Sequence, residues 1–174
     1  PVYNRVNPNV VGLSGHSFGG LAALFAINDS CFFPVCNPAS GFTRPPELKA
    51  AALIGAQAGM LDINSSGVPT AFLVGEFDSG LERYIATYET LENPKALIRV
   101  SGADHFGLND INKPPGANTD REDIPQELPQ AVTANEFARW AGLYFRTHLL
   151  NDRRAGRIIY WSGGNDLVSI EAQY

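Results

Sequence analysis

Residues 9–28 read NVVGLSGHSFGGLAALFAIN, and this stretch decides the fold class. Its first six residues form a short apolar run that enters a glycine-flanked turn. From Gly20 onward, Ala and Leu occur at a density typical of a helix. The stretch is therefore predicted to fold as a strand, a sharp turn and a helix, with Ser17 in the turn.

Apolar runs and helix-forming segments alternate along the rest of the chain. Residues 48–55, 69–75 and 95–101 are predicted to be strands, the first two of them buried on both faces. Residues 81–91 carry an apolar stripe at helical spacing, and residues 132–150 are predicted to be the terminal helix that packs back on the sheet. The predicted fold class is α/β, a parallel sheet with helices on both faces.

Length and composition indicate one domain. The 174 residues are 44% hydrophobic and 18% charged, which supplies enough apolar material for a single core. Residues 1–174 are therefore assigned to one domain. Residues 108–130 are polar, include four prolines and have no periodicity, so they are predicted to form a long loop within it.

Charge and hydropathy exclude several classes of partner. The net charge of −5 comes from scattered acidic residues, and no run of Lys or Arg could neutralise a row of phosphates, so no nucleic-acid partner is expected. The longest apolar stretches, such as residues 21–27, fall far short of the ~20 residues that cross a bilayer, so no transmembrane segment is predicted. Asp and Asn cluster at residues 109–112 and 120–123, but their spacing fits no EF-hand loop, and we expect a solvated loop and no metal.

Cys31 and Cys36 are the two cysteines of the chain. They could close a small disulfide loop, which would indicate an oxidising compartment and favour a secreted or periplasmic protein. Two buried free thiols are the alternative.

The turn itself, Gly15-His16-Ser17-Phe18-Gly19-Gly20, matches the pattern G-x-S-x-G. The pattern is short enough to occur by chance, but here it lies between an apolar strand and a small-residue helix, where a strained turn presents a serine hydroxyl. Gly15 and Gly19 are expected to leave room for close backbone approach. The N–H of Phe18 is expected to donate to a developing oxyanion. The alternative is a glycine-rich turn with an idle serine.

A serine nucleophile needs a base, and the chain has three histidines. His16 lies inside the turn, with its side chain expected to point away from that of Ser17. His148 lies in the last predicted helix, where a surface or helix-terminal role is expected. His105 follows the last predicted strand, at the sheet edge where α/β proteins assemble their sites, and is the predicted base.

The third member should be a carboxylate that orients the base. Asp78 follows the strand at residues 69–75, and the resulting order of nucleophile, acid and base is the one that this type of site uses. Glu76, Asp104 and Asp62 are the alternatives. Asp104 would have difficulty reaching the ring of its own neighbour.

The aromatic residues of the loops could line a pocket or only cover the core. Phe18 and Phe106 are the two predicted to lie near a substrate, and His16 and Phe106 are assigned to the predicted pocket.

The turn at residues 15–20, the Gly75-x-x-Asp78 turn and the turn at residues 102–106 together resemble the dienelactone-hydrolase-related and cutinase-like (polyester hydrolase) branch of the α/β-hydrolases. Platelet-activating-factor acetylhydrolases and chlorophyllases share much of this arrangement. The similarity covers residues 9 to about 160. It implies ester hydrolysis through an acyl-enzyme without metal or organic cofactor, with Ser17, Asp78 and His105 as the triad and Phe18 as the backbone oxyanion donor.

One departure from that family concerns the strands before the turn. The family places several strands there, whereas about eight residues precede the strand here. The chain is therefore expected to be the C-terminal portion of such a fold, with the N-terminal strands absent from it. The strand at residues 9–14 would then be an exposed apolar edge, which predicts a missing segment or companion chain of the same fold as partner.

Three functions are compatible with these features. The leading hypothesis is a serine hydrolase that cleaves small-molecule or lipid-like carboxylic esters. The second is a non-catalytic binding or assembly module that retains the scaffold. The third is another reaction on the same triad, such as thioester or peptide cleavage or perhydrolysis.

Overall fold

The structure is a computed structural model that describes residues 7–31, 37–58, 64–117 and 124–174. Six strands form its sheet, namely β1 (Val11–His16), β2 (Leu48–Ile54), β3 (Thr70–Gly75), β4 (Lys95–Val100), β5 (Gly164–Asn165) and β6 (Val168–Gln173). Their spatial order is β1-β2-β3-β4-β6-β5. The four helices described are α1 (Phe18–Ile27), α2 (Leu81–Thr90), α3 (Gln130–Leu149) and α4 (Arg153–Trp161), and a short 3-10 turn lies at Pro38–Ser40.

The first four strands run parallel, as the apolar runs predicted. All six residues of β3 are buried, and β2 and β4 are almost as fully covered, because helices pack on both faces of the sheet. The prediction of an α/β fold is confirmed at this level. The prediction of a wholly parallel sheet is wrong, because β6 pairs antiparallel with β4 and with β5.

Two separate clusters of buried side chains fill the faces of the sheet. One cluster joins α1 and α2 to the sheet, and its largest members are Leu24, Phe72, Tyr84 and Tyr88. The other joins α3 and α4 to the opposite face, and its largest members are Ile98, Trp140, Tyr144 and Ile159. Alternate residues of β3 supply the two clusters, since neighbouring side chains of a strand point to opposite faces.

The prediction that residues 132–150 form the terminal helix is wrong in one respect. The helix is present as α3, but α4 and the strand pair β5–β6 follow it. The side chain of Asp152 caps α4 by accepting from the backbone N–H groups of Arg154 and Ala155 at 2.9 and 3.2 Å. In the described ranges, no helix combines the length and the apolarity that crossing a bilayer requires.

The topology brings three turns to one edge of the sheet. Because β1, β3 and β4 are parallel, the turns that follow them, which carry Ser17, Asp78 and His105, meet at their carboxyl ends. β1 pairs only with β2 in the described chain, and Val11 at its start is 44% exposed. Residues 108–117 and 124–129, within the predicted long loop, contain no helix or strand.

Candidate active site

Ser17 occupies a strained turn between β1 and α1. Its backbone angles, φ 54° and ψ −121°, lie outside the regions that residues with a side chain usually adopt. Two hydrogen bonds hold it there, since its N–H donates to the carbonyl of Ile54 at 2.9 Å and its own carbonyl accepts from Leu21 at 3.0 Å. The side chain makes no capping hydrogen bond to α1, so the hydroxyl is not used as an ordinary N-cap.

Close packing leaves no room for a side chain at two glycines of the turn. A Cβ on Gly15 would lie 2.3 Å from the carbonyl oxygen of Gly19, and a Cβ on Gly20 would lie 2.5 Å from the Cβ of Ala56. A Cβ on Gly19 would meet no described atom within 4 Å. The expected role of Gly15 is therefore supported, whereas the same expectation for Gly19 is wrong and Gly20 is the residue that must be small.

The side chains of Asp78 and His105 form a pair, with 2.9 Å between Oδ2 and Nδ1. The carboxylate is 3% exposed and the imidazole 17%, so the pair is largely withdrawn from water. A Cβ on Gly55, whose φ is +54°, would lie 2.9 Å from the imidazole Nδ1 and 3.2 Å from the carboxylate. Glycine in the turn after β2 therefore allows the pair to pack against the backbone. An Nδ1–H that donates to Asp78 leaves Nε2 able to accept a proton.

The other carboxylates considered from the sequence have different partners. Glu76 accepts the backbone N–H of Gly102 at 2.9 Å, which ties together the turns after β3 and β4. Asp104 is buried and accepts from the backbone N–H of Phe106 and from the side chain of Asn112. Asp62 lies outside the described residues.

His16 contacts the residue that carries the candidate base. Its Nε2 lies 2.9 Å from the carbonyl oxygen of His105, and the two rings are 4.6 Å apart between centroids. Burial, followed by the nearby His105, lowers the pKa of His16 below its usual value of 6.5. The prediction that the His16 side chain points away from that of Ser17 was based on the sequence of the turn alone. In the structure His16 lines the same cavity as Ser17.

Two side chains in the first turn of α3 donate hydrogen bonds to the turn after β4. Gln130 donates through Nε2 to the carbonyls of Phe106 and Asn109, both at 2.7 Å. The hydroxyl of Thr133 donates to the carbonyl of Gly107 at 2.6 Å. Sequence reasoning did not single out these residues. Their only signal was a pair of polar side chains at the start of a helix that follows a long loop.

Ser17, Asp78 and His105, the three predicted triad residues, line one cavity of about 630 Å³. Its apolar lining includes Phe18, Leu21 and Phe106, and its polar lining includes Gln57, Ser79 and Asn109. Phe18 is 58% exposed, whereas Phe106 is buried and packs edge-on against the ring of His105. The site therefore combines a polar reacting centre with an apolar wall.

Phe18 is also the first residue of α1. The first four N–H groups of a helix have no acceptor within the helix and carry its positive end. The Phe18 N–H is thus suited to stabilise negative charge that forms beside Ser17.

The remaining predicted residues lie away from this cavity or beyond the described chain. His148 bonds through Nε2 to the hydroxyl of Tyr160 at 2.9 Å, in the last turn of α3. Cys31 is disulfide-bonded and half-buried, while Cys36 lies outside the described residues. The same is true of the acidic cluster at residues 120–123. Across the described ranges, no three His, Cys, Asp or Glu side chains group as metal ligands.

Comparison of the chain with protein-family models and with curated proteins found no match.

Proposed function

We propose that this chain is a serine hydrolase that cleaves carboxylic esters through an acyl-enzyme on Ser17. The observation that carries the proposal is the 2.9 Å contact between Asp78 and His105, on the wall of the cavity that Ser17 also lines. An acid paired to an imidazole beside a strained serine turn is the arrangement that activates a hydroxyl.

The first half of the reaction transfers the acyl group to the enzyme. Nε2 of His105 takes the proton of the Ser17 hydroxyl while Oγ bonds to the ester carbonyl carbon. The carbonyl oxygen becomes negative and accepts a hydrogen bond from the N–H of Phe18. The bond to the alcohol oxygen then breaks, and the alcohol leaves with the proton that His105 returns to it.

The second half releases the acid. Water takes the place of the alcohol, gives its proton to Nε2 of His105 and attacks the acyl carbon. The bond to Oγ breaks, Ser17 recovers the proton, and the carboxylic acid departs. Throughout, Asp78 accepts from Nδ1–H, which keeps the ring in the required tautomer and stabilises the imidazolium that forms twice per cycle.

The lining of the cavity favours esters with an apolar portion. Phe18, Leu21 and Phe106 contribute apolar surface beside the reacting centre. Burial of hydrocarbon against such surface gains about 25 cal/mol per Å². Small-molecule or lipid-like esters are therefore the proposed substrates.

A fluorophosphonate probe tests the proposal, because it phosphonylates activated serines. We expect stoichiometric labelling at Ser17, located by peptide mass spectrometry, and none in Ser17→Ala. Labelling should slow by at least about 10³-fold in His105→Ala, which lacks the base. Ser79→Ala is the matched control, since Ser79 lines the same cavity, and it should label as the wild type does. Labelling that survives Ser17→Ala, or a wild type that hydrolyses no ester and takes no label, would refute the proposal.

A further inference from the structure

The outer side of α4 carries a concentration of positive charge. The helix contains Arg153, Arg154 and Arg157, and none of its residues is acidic. All three arginines are exposed, and none of them forms an ion pair with a carboxylate of the described chain. The chain as a whole is acidic, with a net charge of −5. The outer side of α4 therefore differs in sign from the rest of the chain.

Large apolar side chains share this side of the helix. Trp161 is 71% exposed and Ile158 is 36% exposed. At about 100° per residue, the exposed positions of α4 span an arc of about 140°. Ala155, Gly156 and Ile159 are buried on the opposite side. We call the exposed side the α4 face; it consists of Arg153, Arg154, Arg157, Ile158 and Trp161.

The carboxylates of Asp152 and Glu171 do not neutralise the α4 face. Asp152, which caps α4, accepts a hydrogen bond from Nε of Arg146 at 3.0 Å and is charge-paired in this way. Glu171 lies on β6, but its neighbours Ile170 and Ala172 are the residues that pack with the cluster joining α3 and α4 to the sheet. Since alternate residues of a strand point to opposite faces, the side chain of Glu171 points away from α4.

The combination of arginine and exposed tryptophan fits an anionic lipid surface. Arginines close to a bilayer are attracted by its negatively charged headgroups. A tryptophan ring is most favourably placed at the level of the headgroups, where its apolar body and its N–H both find suitable surroundings. Arginine side chains can cover apolar surface with their methylene groups while the guanidinium reaches a phosphate. A partner bound by charge alone would use the arginines and leave Trp161 in water.

We propose that the α4 face docks the protein on the surface of an anionic lipid bilayer, with its arginines at the phosphates and Trp161 among the headgroups. The helix stays packed on the protein through its buried side and does not enter the bilayer as a spanning segment. The α4 face shares no residue with the cavity that contains Ser17. The inference is therefore independent of the proposed esterase function.

Sedimentation with lipid vesicles tests the docking. The probe is vesicles of phosphatidylcholine and phosphatidylglycerol in equal parts, and vesicles of phosphatidylcholine alone are the uncharged comparison. We expect binding to the anionic vesicles only, and its loss at about 1 M NaCl, where the Debye length is about 3 Å. The variant in which Arg153, Arg154 and Arg157 are all replaced by Gln should bind at least about 30-fold more weakly, since each arginine contributes about fivefold.

A second triple variant controls for the change in net charge. Lys49→Gln, Lys113→Gln and Arg139→Gln together remove three exposed cations at scattered positions outside the α4 face. This variant has the same net charge as the arginine variant. We expect it to bind the anionic vesicles within about threefold of the wild type, because charges more than a Debye length from the bilayer are largely screened.

Trp161 provides a spectroscopic readout on the unaltered protein. The other tryptophan of the chain, Trp140, is 1% exposed and should not respond to lipid. When anionic vesicles are added, the emission of Trp161 should shift to shorter wavelength and should be quenched by brominated lipid. Trp161→Phe should show neither change and should bind about 3- to 10-fold more weakly, because less apolar surface is then buried in the headgroup layer.

Four results would overturn the inference. These are no binding to either vesicle, equal binding to both, equal weakening in the two triple variants, and a Trp161 emission that stays unchanged while the protein is bound. A dimer in sedimentation velocity that Trp161→Phe dissociates, without vesicle binding, would assign the α4 face to a second copy of the chain and would also overturn it. If the arginine variant does not fold, the emission of Trp161 in the wild type decides. Labelling of Ser17 by the fluorophosphonate probe is expected whatever the vesicles show.

Discussion

The Nε2 of His16 lies 2.9 Å from the backbone carbonyl oxygen of His105. The residue before the candidate nucleophile is therefore hydrogen-bonded to the backbone of the candidate base. Since a carbonyl only accepts, His16 carries its proton on Nε2. The lowered pKa of His16 keeps the ring neutral near pH 7. This contact joins the end of β1 directly to the turn after β4, across two intervening strands of the sheet.

Removing that contact should slow the reaction without abolishing it. In His16→Phe the ring volume is largely kept, but the hydrogen bond to the turn of His105 is lost. A neutral hydrogen bond contributes about 0.5–1.5 kcal/mol, so we expect kcat on a simple ester to fall about 2- to 10-fold. KM should change less than kcat. His148→Phe is the control for ring replacement at a distant site, and an unchanged kcat in His16→Phe would contradict the positioning role.

Replacement of the paired carboxylate should have a much larger effect. Asp78→Asn keeps the shape of the side chain but favours the wrong tautomer of His105, and we expect kcat to fall about 10³- to 10⁴-fold. Glu76→Gln is the matched control, because an amide oxygen at that position still accepts from Gly102. Steady-state ester kinetics measure both variants. Similar losses in the two variants would argue against Asp78 as the acid.

The two neighbouring glycines of the turn should respond oppositely to alanine. Gly19→Ala places a methyl group in open space within α1, and we expect it to raise stability by about 0.5–1 kcal/mol. Gly20→Ala forces its Cβ to 2.5 Å from that of Ala56, and we expect a loss of about 1–3 kcal/mol. Urea unfolding measures both. Equal changes in the two variants would contradict the packing described for the turn.

Stability should decrease as the pH falls from 7 toward 4. Burial lowers the pKa of His148 from 6.5 to about 4, so between these values the unfolded chain binds a proton that the folded chain does not. The contribution of His148 is complete above pH 6.5 and is lost as the pH falls toward 4. His16 acts in the same direction. Urea midpoints at pH 7, 6 and 5 measure the slope, which His148→Gln should reduce; a slope that His148→Gln leaves unchanged would count against this assignment.

The parts of the fold that follow from local pattern were predictable. The runs at residues 48–55, 69–75 and 95–101 match β2, β3 and β4 within a residue at each end, because strands covered on both faces are continuously apolar. β6 was overlooked. Its residues alternate between less exposed apolar and exposed polar side chains, which is typical of an antiparallel strand with one solvated face, and only three of the six are apolar.

The candidate site, like the fold, could be predicted from the sequence only in part. The order of Ser17, Asp78 and His105 along the chain, each after a strand, was enough to select residues that the structure brings to one cavity. The contact between His16 and His105 and the small-residue requirement at Gly20 could not be predicted. Each depends on elements that approach from far along the sequence, and no local pattern encodes that approach.

Ser17 directly follows β1, and this position affects how the 174-residue chain, taken by itself, loses activity on heating. In the described chain β1 is an outer strand bonded to one neighbour, whereas β3 and β4, which precede the turns of Asp78 and His105, each have two. Sub-global opening starts where the fewest bonds must break. Detachment of β1 would carry the nucleophile away while the acid–base pair stays assembled. Thermal inactivation should therefore precede the loss of helical circular dichroism, as an early, separate transition.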